Sequence, residues 1–200
     1  MTLYLIRHAE TVANLEERLC GMYETDLCDS GFAQVKKLAA FAKTLDIDAV
    51  YTSPLKRAYK TAVGLNWYIN KPLHVIHNLH EIRFGSIEGM LWKDIEEDFR
   101  WDDGALDRFT VFGGEAYDAV YDRIVTAING IIAENHENST VAIVSHGAVL
   151  RNFICYSKGW GCDKFREVDR VLNASVTKIN YDKINHIFTI HYQNAVDFLS

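Results

Sequence analysis

The stretch TLYLIRHAET (residues 2–11) places a short apolar run, Thr2 to Ile6, directly before an arginine and a histidine. The run shows no alternation of apolar and polar residues, which is the pattern of a strand buried on both faces. Ala49 to Tyr51 and Val141 to Ser145 (VAIVS) have the same character. Strands covered on both sides need helices above and below them, and helical periodicity fills the intervals. The pattern predicts a three-layer α/β/α sandwich with a mainly parallel central sheet.

Phe32, Val35, Leu38, Ala39, Ala42 and Leu45 mark one helical face, with Asp29 or Ser30 as its cap. Leu55, Ala58, Ala62 and Leu65 mark a second. The longest helix is predicted from Glu115 to Glu134, where Tyr117, Val120, Tyr121, Ile124, Ile128, Ile131 and Ile132 form one stripe. Another should follow Gly147. Val176 to Tyr181 and Ile187 to Tyr192 alternate like strands around a turn at Asp182 to Asn185. We find no repeat or linker, so residues 1–200 are expected to form one domain. Residues 81–114 have weak periodicity and glycine clusters, and are expected to be an insertion or cap that carries function.

A chain of 200 residues with a net charge of -6 is unsuited to broad attraction to nucleic acid or anionic membrane. An anionic substrate would have to be drawn by a local positive pocket. Cys20, Cys28, Cys155 and Cys162 form no CxxC pair, and Arg7 interrupts the first apolar run too early for a secretory signal. No stretch approaches the roughly 18 to 20 apolar residues of a membrane span. A cytoplasmic protein with free thiols is expected.

In open parallel sheets ligands bind beyond the carboxyl ends of the strands. The first strand ends at Arg7 and His8, the second runs into TSPLKRA with Arg57, and VAIVS runs into His146 and Gly147. Ser53 can cap the helix after the second strand, with Pro54 at its first position. Arg57 would then lie in the first turn, where the helix dipole disfavours a cation. A phosphate held between Arg57 and the exposed N–H groups would resolve that conflict, as would a surface carboxylate partner. Taken singly, His8 and His146 read as structural histidines. Together, at two strand ends with arginines beside them, they read as a site.

These residues resemble the histidine phosphatase superfamily, also called phosphoglycerate mutase-like. RHAET (7–11) is similar to its first signature, with alanine for glycine at position 9, and Asn14 follows at the usual spacing. SPLKRAYKTA (53–62) supplies Arg57, LHEIRFGSIEG (79–89) supplies Glu81, and VSHGAVLR (144–151) supplies His146 and Gly147. NASVT (173–177) also has the family's look. GGEA (113–116) carries alanine where the family commonly has serine, and Cys20 to Leu27 matches only loosely.

The resemblance implies that His8 accepts the phosphoryl group and that Glu81 protonates the leaving alkoxide, then helps activate water. His146 completes the catalytic set, with Arg7, Asn14, Arg57 and Gly147 holding phosphate. The chemistry suits the residues. Arginines offer paired N–H groups to the equatorial oxygens of a loose transition state, and a neutral imidazole can approach a phosphate dianion. Neighbouring guanidinium groups also help keep that imidazole unprotonated.

No metal or other cofactor is required. His74, His77 and His80 are evenly spaced, but no cysteine or acidic partner completes a ligand set. The expected partner is a small phosphorylated metabolite, with homodimerisation left open by the sequence. The stretch LWKDIEEDFRWDDGALDRF lacks the paired arginines of a phosphoglycerate mutase. It points to a phosphatase whose cap aromatics, Trp92, Phe99, Trp101 and Phe109, select a bulkier leaving group, and Glu88 resembles a residue of phosphatase branches. A mutase and a non-catalytic phospho-ligand binder are the alternatives.

Overall fold

The computed structural model describes residues 1–95 and 108–200. Six strands form one sheet in the order β3-β2-β4-β1-β5-β6. They are β1 (Thr2–Arg7), β2 (Ala49–Thr52), β3 (Leu73–Val75), β4 (Thr140–Ser145), β5 (Val176–Asp182) and β6 (Ile187–Ala195). The first four are mutually parallel, and β5 runs antiparallel to both β1 and β6. The predicted C-terminal alternation thus becomes a hairpin on one side of a parallel sheet.

Register positions the site. Arg7 pairs with Ser145, and Thr52 pairs with Val144, so β1 and β4 end level and β2 ends one residue short of them. The next residues, His8 and His146, emerge side by side, and the Ser53 side chain reaches His146.

The helices are α1 (Val12–Leu15), α2 (Asp29–Ala42), α3 (Lys56–Ile69), α4 (Tyr117–Glu134) and α5 (Gly147–Ser157). Leu3, Leu5, Val141 and Ile143 face α4 and α5, whereas Tyr4, Ile6, Ala142 and Val144 face α2 and α3. Side chains alternate across a strand, so covering both faces requires the unbroken apolar runs. Ala58 and Ala62 on α3 are fully buried and allow that helix close approach to the sheet.

Three boundaries differ from expectation. Helix α2 is capped at Cys28, without a side-chain bond, in place of Asp29 or Ser30. Its buried face is Gly31, Val35, Leu38, Ala39 and Ala42. Phe32, one residue beyond Gly31, turns outward, and Leu45 lies past the helix end. Gly31 fixes this face: a Cβ there would stand 2.0 Å from the Glu10 carbonyl oxygen. Helix α3 begins after Leu55, so Ser53 does not cap it, and Pro54 precedes it. Arg57 still lies in the first turn.

Helix α4 begins at Tyr117 because Glu115 turns aside, accepting Arg83 N–H at 2.9 Å and pairing with Arg123 at 2.9 Å. Ala116 is the N-cap and offers no side-chain acceptor. Ala116→Ser is therefore expected to raise stability by about 0.5–2 kcal/mol, seen as a higher denaturant midpoint.

The described part of residues 81–114 contains short 3₁₀ turns at Gly85–Ile87, Trp92–Asp94 and Arg108–Phe112. Ile82, Phe84, Ile87, Ile95 and Phe109 join the core on the α4 and α5 side. Among the described residues no helix is long and apolar enough to cross a membrane.

Candidate active site

The site begins where β1 and β4 end. His8 N–H donates to Ser145 O at 2.9 Å, and its ring Nδ1 lies 2.8 Å from Ala9 O. A carbonyl only accepts, so Nδ1 carries the proton and the lone pair of the neutral ring is on Nε2. The His8 and His146 ring centroids are 5.2 Å apart. His146 Nε2 lies 2.7 Å from Ser53 Oγ, and Nδ1 is buried without a partner. Ser53 Oγ already accepts Leu55 N–H at 3.2 Å. Its own proton can go to His146 Nε2, which leaves an Nδ1–H free to donate.

Burial, followed by the Arg57 and Arg7 charges, holds His8 well below the ordinary histidine value. Burial, then Arg57 and His8, does the same for His146. Both shifts favour the neutral ring.

Arg7 and Arg57 are almost completely buried. Arg7 Nη1 donates to Val171 O at 2.6 Å. Arg57 Nη2 donates to Gly21 O at 2.7 Å, and its Nη1 donates to Tyr23 O at 3.1 Å. Carbonyls fix both guanidinium groups without neutralising them. The Nε atoms of both arginines are buried without partners. Burial draws Arg7 down to about 10, against the raising effect of Glu81, and lowers Arg57 as well.

Asn14 Oδ1 accepts from Thr11 N–H at 3.2 Å and from Asn173 Nδ2 at 3.1 Å. With the oxygen committed, its amide NH₂ is left to donate to a ligand. Glu81 reaches the start of α5, accepting from Ala148 N–H at 3.2 Å and Val149 N–H at 3.3 Å. Gly147 opens the same helix; a Cβ there would lie 3.6 Å from Arg7 Nε. Ala9, the departure from glycine, is buried in a small cluster with Leu27, Val35 and Ala174.

All seven predicted site residues except His146 border a single cleft of about 710 Å³. His146 lies fully buried behind it, against His8. Of the cap aromatics, Trp92 borders the cleft, and Phe109 is buried edge-on to Phe84. Phe99 and Trp101 lie outside the described residues. Glu88 supports the phosphate side indirectly: it accepts Phe84 N–H at 2.8 Å and presses against Gly21, whose carbonyl holds Arg57. His74 stacks on Tyr51, and His77 packs edge-on to His80. Among the described residues no three His, Cys, Asp or Glu side chains group as metal ligands.

Sequence reading missed several supports. Ser53 orients His146 as well as bonding to Leu55, and Thr61 Oγ1 accepts Ala9 N–H at 3.0 Å while donating to Arg57 O at 2.8 Å. Asn173 Nδ2 also donates to His8 O at 3.1 Å; the NASVT motif contained that signal. Arg151, Arg166 and Arg170 border the cleft from a side the sequence did not suggest.

Two imidazoles and two guanidinium groups whose direct partners are carbonyls, at the carboxyl edge of a mainly parallel sheet, make a pocket that can hold a tetrahedral oxyanion. The chain belongs to the histidine phosphatase superfamily (branch 1), whose family model matches residues 3–193. It is 34% identical over 197 residues to phosphoserine phosphatase 1 of Hydrogenobacter thermophilus, covering 92% of this chain and 89% of that protein. It is 34% identical over 194 residues to a metal-independent phosphoserine phosphatase of Arabidopsis thaliana, covering 89% and 75%. The solved structure of Bacillus stearothermophilus YhfR superposes with a TM-score of 0.90 at 29% identity, covering 100% of this chain and 99% of that one.

Proposed function

We propose that the protein is a metal-independent phosphomonoester hydrolase that acts on a small phosphorylated metabolite through a phosphohistidine at His8. The observation that carries this reading is the set of buried, unpartnered nitrogens, Arg7 Nε, Arg57 Nε and His146 Nδ1, gathered near an imidazole whose Nε2 lone pair is free. Leaving buried polar groups unpaired costs about 1–3 kcal/mol each, a cost that a bound phosphate removes. Similarity to named phosphatases supports the same reading.

In the first half-reaction His8 Nε2 bonds to phosphorus as the ester P–O bond breaks, and Glu81 gives its proton to the leaving oxygen. Arg7, Arg57, Asn14 and His146 hold the equatorial oxygens, where charge spreads in the transition state. Glu81 then takes a proton from the water that attacks phosphorus, and the N–P bond breaks to free His8.

The test is rapid quenching with a ³²P-labelled monoester in the presence of chelator. An acid-labile, alkali-stable label mapping to the peptide that contains His8 is expected. Hydrolysis without label, or hydrolysis abolished by chelator, would overturn the proposal. Phosphoglycerate interconversion with little hydrolysis would point to a mutase.

A further inference from the structure

The cleft is more positive than one phosphate monoester needs. Six arginines and two glutamates, Glu17 and Glu81, border it, although the whole chain is acidic. Arg7 and Arg57 balance a phosphate dianion. Arg18 is committed to Glu16 and to Gly89 O at 2.8 Å, and Arg151 to Val168 O and Phe165 O while stacked 4.0 Å over the Phe165 ring. Arg170 differs. Its side chain is exposed and makes no hydrogen bond or ion pair among the described residues.

Its backbone is held firmly. Asn194 Nδ2 donates to Arg170 O at 2.8 Å, and Asn194 Oδ1 accepts Leu172 N–H at 2.7 Å, so one side chain clamps both sides of Val171. Val171 O is in turn the anchor of Arg7. Arg170 is therefore fixed at the cleft wall one residue from the carbonyl that positions a phosphate-binding arginine. Its charge is felt there, since it lowers both Arg7 and Arg151, in each case behind burial as the larger cause.

We infer that Arg170 is a specificity residue that binds a carboxylate on the leaving group, so that the preferred substrates are phosphorylated carboxylic acids. This rests on the proposed function. A single unpaired guanidinium matches the charge of one carboxylate and its fork geometry.

Two ligands with the same three-carbon skeleton test the inference: 3-phosphoglycerate, which carries the carboxylate, and glycerol 3-phosphate, which has a hydroxymethyl group there. Calorimetric binding to the His8→Ala protein avoids turnover. 3-Phosphoglycerate is expected to bind about ten- to a hundredfold more tightly, the range of a hydrogen bond to a charged group. Adding Arg170→Gln should shrink the preference to within about threefold, because 3-phosphoglycerate loses far more affinity than glycerol 3-phosphate. Equal binding of the two ligands, or a preference that survives Arg170→Gln, overturns the inference and leaves the phosphatase reading intact. Binding of neither ligand removes the phosphate site itself, and the proposed function with it.

Discussion

Replacing His8 by alanine is expected to lower kcat/KM for p-nitrophenyl phosphate by about 10⁶-fold, the scale on which turnover falls when a hydrolase loses its nucleophile. Arg7, Arg57 and His146 would remain and still bind phosphate, but none can form the covalent intermediate at that position. Binding of inorganic phosphate, measured by calorimetry, should therefore persist while turnover disappears. Equal hydrolysis by the two proteins would refute the nucleophile assignment. The pH profile carries a related expectation. Protonated His8 has no lone pair, and burial with Arg57 and Arg7 holds it well below 6.5. Loss of the nucleophile thus begins only at pH values below the usual histidine range. Arg57→Gln should move that acid limb upward, because one of the repelling charges is gone.

Glu81→Gln is expected to slow hydrolysis of alkyl phosphates by about 10²–10⁴-fold, the usual contribution of a positioned general acid. Hydrolysis of p-nitrophenyl phosphate should fall far less in its phosphorylation step, because a nitrophenolate leaves without needing a proton. Glutamine keeps an oxygen for only one of the two N–H groups at the start of α5 and sets its NH₂ against the other, since Glu81 now accepts from Ala148 through Oε2 and from Val149 through Oε1. The diagnostic quantity is the ratio of single-turnover rates between the two leaving groups. A variant that slowed both equally would show that Glu81 serves to place α5 and not to donate a proton.

The sheet was legible because Leu3 to Ile6 and Val141 to Val144 have cores on both faces, and an uninterrupted apolar run is how such strands appear in sequence. Helix ends were less legible. Phe32 looked inward by periodicity, but the close contact of Gly31 with Glu10 O sets the rotation of α2 and turns the ring to solvent. In the site, His8, Arg57, Glu81 and His146 could be found because each lies in a recognisable motif at a strand end or loop. Arg170 and Asn194 could not. They meet through an irregular segment and a strand terminus 24 residues apart, tied by bonds from the Asn194 side chain to main chain that leave no periodic trace.

Arg57 depends on Gly21 and Tyr23 only through their carbonyl oxygens. A loop that contributes main chain to a binding site is free to vary in its side chains, provided its path is kept. This accounts for the loose match of Cys20 to Leu27 with the family pattern, next to a well-matched arginine. It also makes the loop an opening for redesign. The Met22 and Tyr23 side chains are expected to vary with the phosphate pocket retained, short of proline at Tyr23, whose N–H donates to Cys20 O, whereas Gly21, at φ +50 and with Glu88 Oε1 2.4 Å and Phe84 2.9 Å from any added Cβ, is the position where such a library should be most restricted.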